Sequence, residues 1–315
     1  MPVSAELAEQ LDLFHRAGTV PAPDVPTPAS AVVLVRDSSE GLQTFVTRQS
    51  DARGNTERGR WGFPSGTLNA ADIRRLPLAA WSAERCARAL RVDNTSRGLQ
   101  WFAAAVRTSL SHLGVLLAED SEGRLVASTE APANARERLA TRGSGLAAAL
   151  ADRDLRMRPD LLRPWLRWIN TPMQLRRFDT VFFLASVPHG QVVDLRSPNE
   201  VWGGWLRPAE ILERANPDSA DNISAPVRLI CESLMDTPTV GSAMARVRDL
   251  APFEPDLIRK AGRWWVSLGH RADPSERGRL RELAVLQATQ EEESRSLVDD
   301  DVLEFEQDAE PEERE

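Results

Sequence analysis

The stretch AAAVRTSLSHLGVLLA, residues 103–118, decides the fold of this chain. From Trp101 to Leu113 the apolar residues Phe102, Val106, Leu110 and Leu113 recur at the spacing of one buried helical face. Gly114 closes that helix, because glycine enters the left-handed conformation at a helix end without the penalty of a Cβ. Thr108, Ser111 and His112 stand in an i, i+3, i+4 relation and therefore share one side of the helix.

Upstream, PAPDVPTPAS (21–30) is a proline-rich entry with no helix potential. It leads into an apolar strand, SAVVLVRD (30–37), a turn at 38–41 and a second strand, LQTFVTRQ (42–49). GRWGFPSGTL (59–68) follows, and then about 33 residues (67–100) precede the helix, within which LAAWSAERCARALRV has helical spacing. Downstream, EDSEG (119–123) is a turn, and an Ala/Arg/Leu-rich stretch to residue 163 suits one or more helices. LRPWLRWINTPMQLRRFDTVFFLASVP (162–188) contains a buried strand from 178 to 187. PHG (188–190) reads as a turn and QVVDL (191–195) as the partner strand. VWGGWLRPAEILERA (201–215) is a strand running into a helix with proline in its first turn. Helices are expected at 226–235, 240–250 and near 276–290, with a strand in RWWVSLG (263–269).

The decisive stretch resembles the second half of the Nudix box, REUxEExGU with U aliphatic, in the branch form AAIRETFEEAGVLLA. Arg107, Leu110, Gly114 and Val115 match that pattern, while Thr108, Ser111 and His112 stand where it has glutamates. Trp61, Phe63, Pro64 and Gly66 match the WxFPGG approach to the box, with Ser65 replacing one glycine. The block 162–188 is similar to LRPWARWITPxxxPRRFDTRFFLA of the branch that includes peroxisomal coenzyme A diphosphatases, which also carries a helical insert before the box. The resemblance covers about residues 29–250. It implies an α/β (α+β) fold, a Nudix-type mixed sheet sandwiched between helices, with a helical insertion at about 67–100.

Composition sets the remaining bounds. The formal net charge of −8 is concentrated at the C-terminus: residues 291–315 hold 13 acids and 2 bases, leaving 34 acids and 37 bases in 1–290. Such a tail has few apolar anchors and reads as disordered. The expected organisation is an N-terminal segment (1–28), the Nudix-like domain (29–250), an extension (251–290) and the acidic tail (291–315). Cys86 and Cys231 are far apart and lack metal-ligand spacing, so they read as buried small hydrophobes. The N-terminus carries acids among its apolar residues and lacks a basic start, unlike a secretory signal, and no apolar run is long enough to cross a membrane. A cytoplasmic location is the expectation. No motif for nucleic acid, a P-loop or a dinucleotide is present.

In active relatives the box glutamates hold Mg2+ or Mn2+ against a diphosphate, because hard cations need several anionic oxygens. Thr108, Ser111 and His112 cannot supply that charge, and a lone imidazole suits softer metals. No metal site and no cofactor are expected; Mg2+ or Mn2+ would return only if acids outside the box replaced the missing ones. Glu200 is the candidate for such a catalytic acid, being a late acid before the terminal strand; Glu84, Glu119, Asp120 and Asp179 are the others weighed. Candidate ligand-binding residues are Arg107, Ser111, His112, Arg176, Arg177, Trp61 and Phe63. Arg107 is either a structural arginine or a direct phosphate ligand, and His112 either structural or a general base. Arg163, Arg167, Trp165 and Trp168 suit a phosphate-and-base pocket or, alternatively, packing of the sheet edge and a homodimer surface.

Three functions fit the residues. One is a Nudix-fold protein with little or no diphosphatase activity that binds a phosphorylated small molecule, nucleotide- or CoA-like. The second is an active diphosphate hydrolase using non-box acids. The third is a protein-interaction module with its acidic tail as recruiting element.

Overall fold

A computed structural model describes residues 3, 5–17, 25–49, 60–127, 130–139, 145–171, 177–196, 200–214 and 222–267. The chain divides into two units, 1–255 and 256–315. The first unit contains α1 (Ala5–Ala17), β1 (Thr27–Ser38), β2 (Gly41–Gln49), β3 (Arg60–Gly62), β4 (Ser65–Thr67), α2 (Ala83–Leu90), α3 (Thr95–Leu113) and β5 (Ala118–Glu119). After these come α4 (Glu130–Leu139), α5 (Leu146–Leu150), β6 (Arg156–Met157), β7 (Leu162–Ile169), β8 (Phe178–Ser186) and β9 (Glu200–Leu206). α6 (Pro208–Arg214), β10 (Asn222–Ile223), α7 (Ala225–Met235) and α8 (Val240–Ala245) complete it. In the second unit β11 (Asp256–Lys260) and β12 (Arg263–Ser267) form an antiparallel hairpin. The charged segment near 276–290 and the acidic tail lie outside the described residues.

The sheet is mixed, with order β10-β3-β2-β1-β8-β7; β4 adds to β1 and β9 to β2. Its centre is the parallel pairing of β1 and β8, from Thr27 opposite Phe178 to Val35 opposite Ser186. A strand in that position is covered on both faces and so reads as a continuous apolar run. Every residue of β1 from Ala29 to Val35 is buried. Successive side chains point to opposite faces: Val32 and Leu34 join the core cluster of α3, while Ala31, Val33 and Val35 are buried on the other side, where α8 meets β1 and β8. The architecture is the expected one, a mixed sheet flanked by helices.

α3 starts earlier than the apolar spacing alone indicates. Asn94 accepts a hydrogen bond from Arg97 N at 2.8 Å and caps the first turn. Gly98 sits against α2, where a Cβ would fall 2.5 Å from the Ala87 Cα, so the two helices meet backbone to backbone. α2 in turn begins only at Ala83, capped by Ser82, and the LAAW lead of the expected helix lies outside it. The far end of α3 closes as expected, with Gly114 at φ +67° and bonds from Gly114 N to Leu110 O and Val115 N to Ser109 O.

Phe102 is fully buried, its ring 4.8 Å from that of Phe183 on β8 and 6.0 Å from Trp81. Removing a ring so placed costs about 3–5 kcal/mol. β7 carries an irregularity between Pro164 and Leu166, where Pro164 has no N–H to give to the ladder. Trp165 at that irregularity is fully buried, with Nε1 donating to Ser233 Oγ at 2.8 Å.

One element differs from expectation. Residues 191–196 form no strand, and β8 pairs instead with β1 and β7. The amides that a strand would use are taken by the end of α3: Asp194 N donates to Leu113 O and Arg196 N to His112 O, each at 2.8 Å. The Gln191 side chain bridges Leu116 N, Leu116 O and Val126 O. Apolar alternation over five residues cannot distinguish a ladder from a segment that caps helix carbonyls. The Val240 helix also stops at Ala245 rather than at 250.

Both cysteines are free and wholly buried, and burial pushes each thiol up to about 12. No helix among the described residues is long and apolar enough to cross a membrane. Native protein at pH 8 is expected to give no fast reaction with Ellman's reagent and two equivalents after denaturation. A rapid native equivalent would show a thiol open to solvent.

Candidate functional site around the box helix

The side of α3 that carries Arg107, Thr108, Ser111 and His112 faces the β3–β4 segment and the start of β9. Arg107 Nε lies 2.9 Å from Asp72 Oδ2, off hydrogen-bond alignment, so the contact is chiefly electrostatic. Its Nη2 donates to Thr67 O. Asp72 belongs to the 3-10 turn Ala70–Ile73 and is completely buried, its Oδ1 accepting from Leu146 N at 3.1 Å. Burial pushes the Asp72 carboxyl up, and the Arg107 guanidinium and the Leu146 amide pull it partly back. Arg107 is thus matched by an acid from outside its own helix, one that also holds the start of α5.

Thr108 is 2% exposed and lies under β4; a Cβ on Gly66 would come 2.7 Å from its Oγ1. Ser111 Oγ turns back to Thr108 O at 3.4 Å. His112 Nδ1 lies 3.5 Å from Glu200 Oε1, and the Glu200 side chain is 2% exposed. Neither His112 Nδ1 nor Glu200 Oε2 has a hydrogen-bond partner. The structure therefore brings together two residues chosen separately from the sequence, the histidine in a glutamate position and the late acid. Glu200 reaches it from the first position of β9, where the register against β2 shifts between Arg48 and Gln49.

The helix end is held by a residue that sequence reading missed. Arg136 on α4 donates from Nε to Ser111 O at 2.9 Å and from Nη2 to His112 O at 3.0 Å, and pairs with Asp194 Oδ2 at 3.1 Å. A cation there complements the negative end of the helix dipole. Burial lowers the Arg136 pKa while Asp194 raises it again. Neither Asp72 nor Arg136 is marked in the sequence, since each is one charged residue in an unremarkable stretch and acts on partners far along the chain.

The other candidates lie apart from this cluster. Trp61 and Phe63 are 3% and 5% exposed. Trp61 packs edge-to-face with Trp202 at 5.3 Å, and the guanidinium groups of Arg48 and Arg214 lie over its ring. Arg177 donates to Asn170 O and pairs with Glu254; Arg176 lies outside the described residues. Arg167 makes a two-pronged pair with Asp179 at 2.8 and 2.6 Å and covers the Trp101 ring. Arg163 donates to Met244 O, and Trp168 stacks on Phe253. These contacts favour the packing alternative for the 162–188 block. Glu119 is neutralised by Arg156 and Arg158, Asp120 closes its own turn, and Glu84 is exposed on α2.

A hard divalent cation would need several carboxylate oxygens converging on the helix face. Among the described residues Glu200 reaches it and Asp72 is held by Arg107, and no group of three or more His, Cys, Asp or Glu suited to a metal occurs. These residues do not fit Mg2+ or Mn2+ held in the usual way.

Among solved structures, a Nudix hydrolase from Alicyclobacillus acidocaldarius matches with a TM-score of 0.56 at 22% identity, covering 71% of this chain and 97% of that one. The fold is that of the Nudix hydrolases. A C. elegans Ap4A hydrolase (TM-score 0.33, 9% identity, 66% of this chain and 95% of that one) superposes far more loosely. So does the Nudix domain of Shewanella oneidensis NrtR complexed with ADP ribose (0.30, 10%, 67% and 88%). No family model and no curated protein matches the chain.

α3 is tied to the segment before it through Asp72. Arg107→Ala is expected to cost about 3–5 kcal/mol, because it leaves the buried Asp72 carboxylate unpaired, and Asp72→Ala less, because Arg107 is 22% exposed and keeps Thr67 O. The double variant should cost less than the sum, since both remove the same contact. Urea denaturation at neutral pH measures all three, and single losses within about 0.5 kcal/mol, as at ordinary surface sites, would show that the pair does not hold the helix.

Proposed function

We propose that this protein is a Nudix-fold ligand-binding protein with little or no diphosphatase activity. The observation that carries the reading is the occupancy of the glutamate positions. Thr108 is buried beneath Gly66, Ser111 is turned onto its own helix, and His112 is matched by the single carboxylate Glu200. That arrangement lacks the anionic oxygens a Mg2+- or Mn2+-dependent attack on a diphosphate requires. The ligand class, a nucleotide- or CoA-like phosphorylated molecule, rests on the sequence resemblance to the coenzyme A diphosphatase branch. Arg107, committed to Asp72 and Thr67, serves the scaffold in this reading rather than the phosphate.

One observation favours the second reading, an active hydrolase. Glu200 is buried beside the box helix with Oε2 unpartnered, and a carboxylate so placed has capacity to accept a proton.

Incubation with Mn2+ or Mg2+ and a panel of dinucleotides, nucleoside diphosphate sugars and CoA esters separates the two. The expected outcome is no metal-dependent phosphorylated product, together with a ligand-induced rise in melting temperature for at least one panel member. Turnover that disappears in Glu200→Gln would establish the hydrolase instead.

A further inference from the structure

Away from the box helix, a cavity of about 480 Å3 opens between the turn after Ile73, the start of α5 and the entry to β6. Its wall includes Arg75, Pro77, Ala147, Asp154, Leu155 and Arg156. It is an open cleft with polar and apolar groups on its wall, so a ligand held there would keep part of its surface in water.

Two features of the wall point the same way. Among the described residues, Arg75 and Asp154 are two of the five non-glycine residues with positive φ, at +55° and +49°, and both line this one cleft. Asp tolerates that conformation, but arginine adopts it rarely, and such backbone strain gathers at ligand sites. Arg75 and Asp154 also carry opposite charges and yet have no partner among the described residues, not even each other. Beside them Arg156 gives Nη2 to Glu119 at 2.6 Å and to Asp120 O at 3.4 Å, and its Nε is buried without an acceptor, which leaves Nη1 to face a ligand.

We propose that this cavity is a second ligand site, which binds a small zwitterion. A carboxylate meets Arg75 and Arg156, an ammonium meets Asp154, and an aliphatic flank lies on Pro77, Ala147 and Leu155. Guanidinium is the side chain best matched to a carboxylate, through parallel hydrogen bonds. A lone phosphate would leave Asp154 repelling it, and a lone amine would be repelled by two arginines. An α-amino acid and a short apolar peptide share the required chemistry, and the peptide fills more of the volume.

Titration calorimetry of the full chain with leucine and with Leu-Leu tests the site, with N-acetyl-leucine as the probe that lacks the ammonium. Leucine or Leu-Leu is expected to bind at millimolar or lower concentration, and the tighter of the two identifies the source. N-acetyl-leucine should bind at least about tenfold more weakly. Arg75→Gly should raise the melting temperature of the free protein, by relieving the positive φ, and still weaken binding by about tenfold or more. Asp154→Asn, which keeps a residue tolerant of that φ, should remove the preference for leucine over N-acetyl-leucine. Absence of heat from both zwitterions at millimolar concentration would overturn the proposal. So would binding left unchanged by Arg75→Gly and Asp154→Asn together, because the ligand would then sit elsewhere.

Discussion

Twelve of the nineteen residues of α3 are buried, and this helix dictates what surrounds it. A helix enclosed to that degree cannot leave its terminal amides and carbonyls, or its polar side chains, to water. Asn94 closes its first turn, Gly114 turns the chain out at the last, and the carbonyls of Ser111, His112 and Leu113 are satisfied by Arg136 and by the amides at 194 and 196. The same demand fixes Arg107. A guanidinium near the core needs an anion, and Asp72 supplies it from the 3-10 turn between β4 and α2. The segment between β4 and α3 is therefore part of the site's foundation rather than an ornament on it.

Wherever chemistry looked available in the sequence, the folded chain has largely supplied its own counter-charge. Arg167 and Asp179, Arg177 and Glu254, Glu119 with Arg156 and Arg158, and Arg107 with Asp72 are each internal pairs. Isolated pairs near a surface contribute little to stability, but partly buried ones become costly once one member is removed. The consequence for function is that, Arg156 apart, these groups have little left to offer a ligand. Glu200 and His112 are the exception, 3.5 Å apart without a hydrogen bond between them, each keeping an unsatisfied atom.

Much of this was legible in the residues. The apolar run of β1, the turn before β2, the buried strand β8, the strand-to-helix passage at β9 and α6, and the glycine end of α3 follow from periodicity and turn chemistry, which are local. Asp72, Arg136 and Gln191 were not legible, because each acts across 24 to 75 residues on a main-chain atom or a single side chain and leaves no periodic trace. QVVDL misled for a related reason: its pattern suits a strand, but its amides are spent on a helix end. The pairing of His112 with Glu200 sits between these cases. Both residues stood out individually, but a one-residue irregularity in β9 against β2, invisible in the sequence, decides that they meet.

The contact of Gly98 with Ala87 has an evolutionary corollary. Where two helices touch through Cα and Cβ alone, neither residue can grow unless the other shrinks, and alanine can shrink only to glycine. Sequences descended along this line can vary the exposed faces of α2 freely, yet must keep a small residue at both positions or lose the close approach of the two helices. Drift in α2 is thereby tethered to α3, whatever the exposed faces of either helix come to carry.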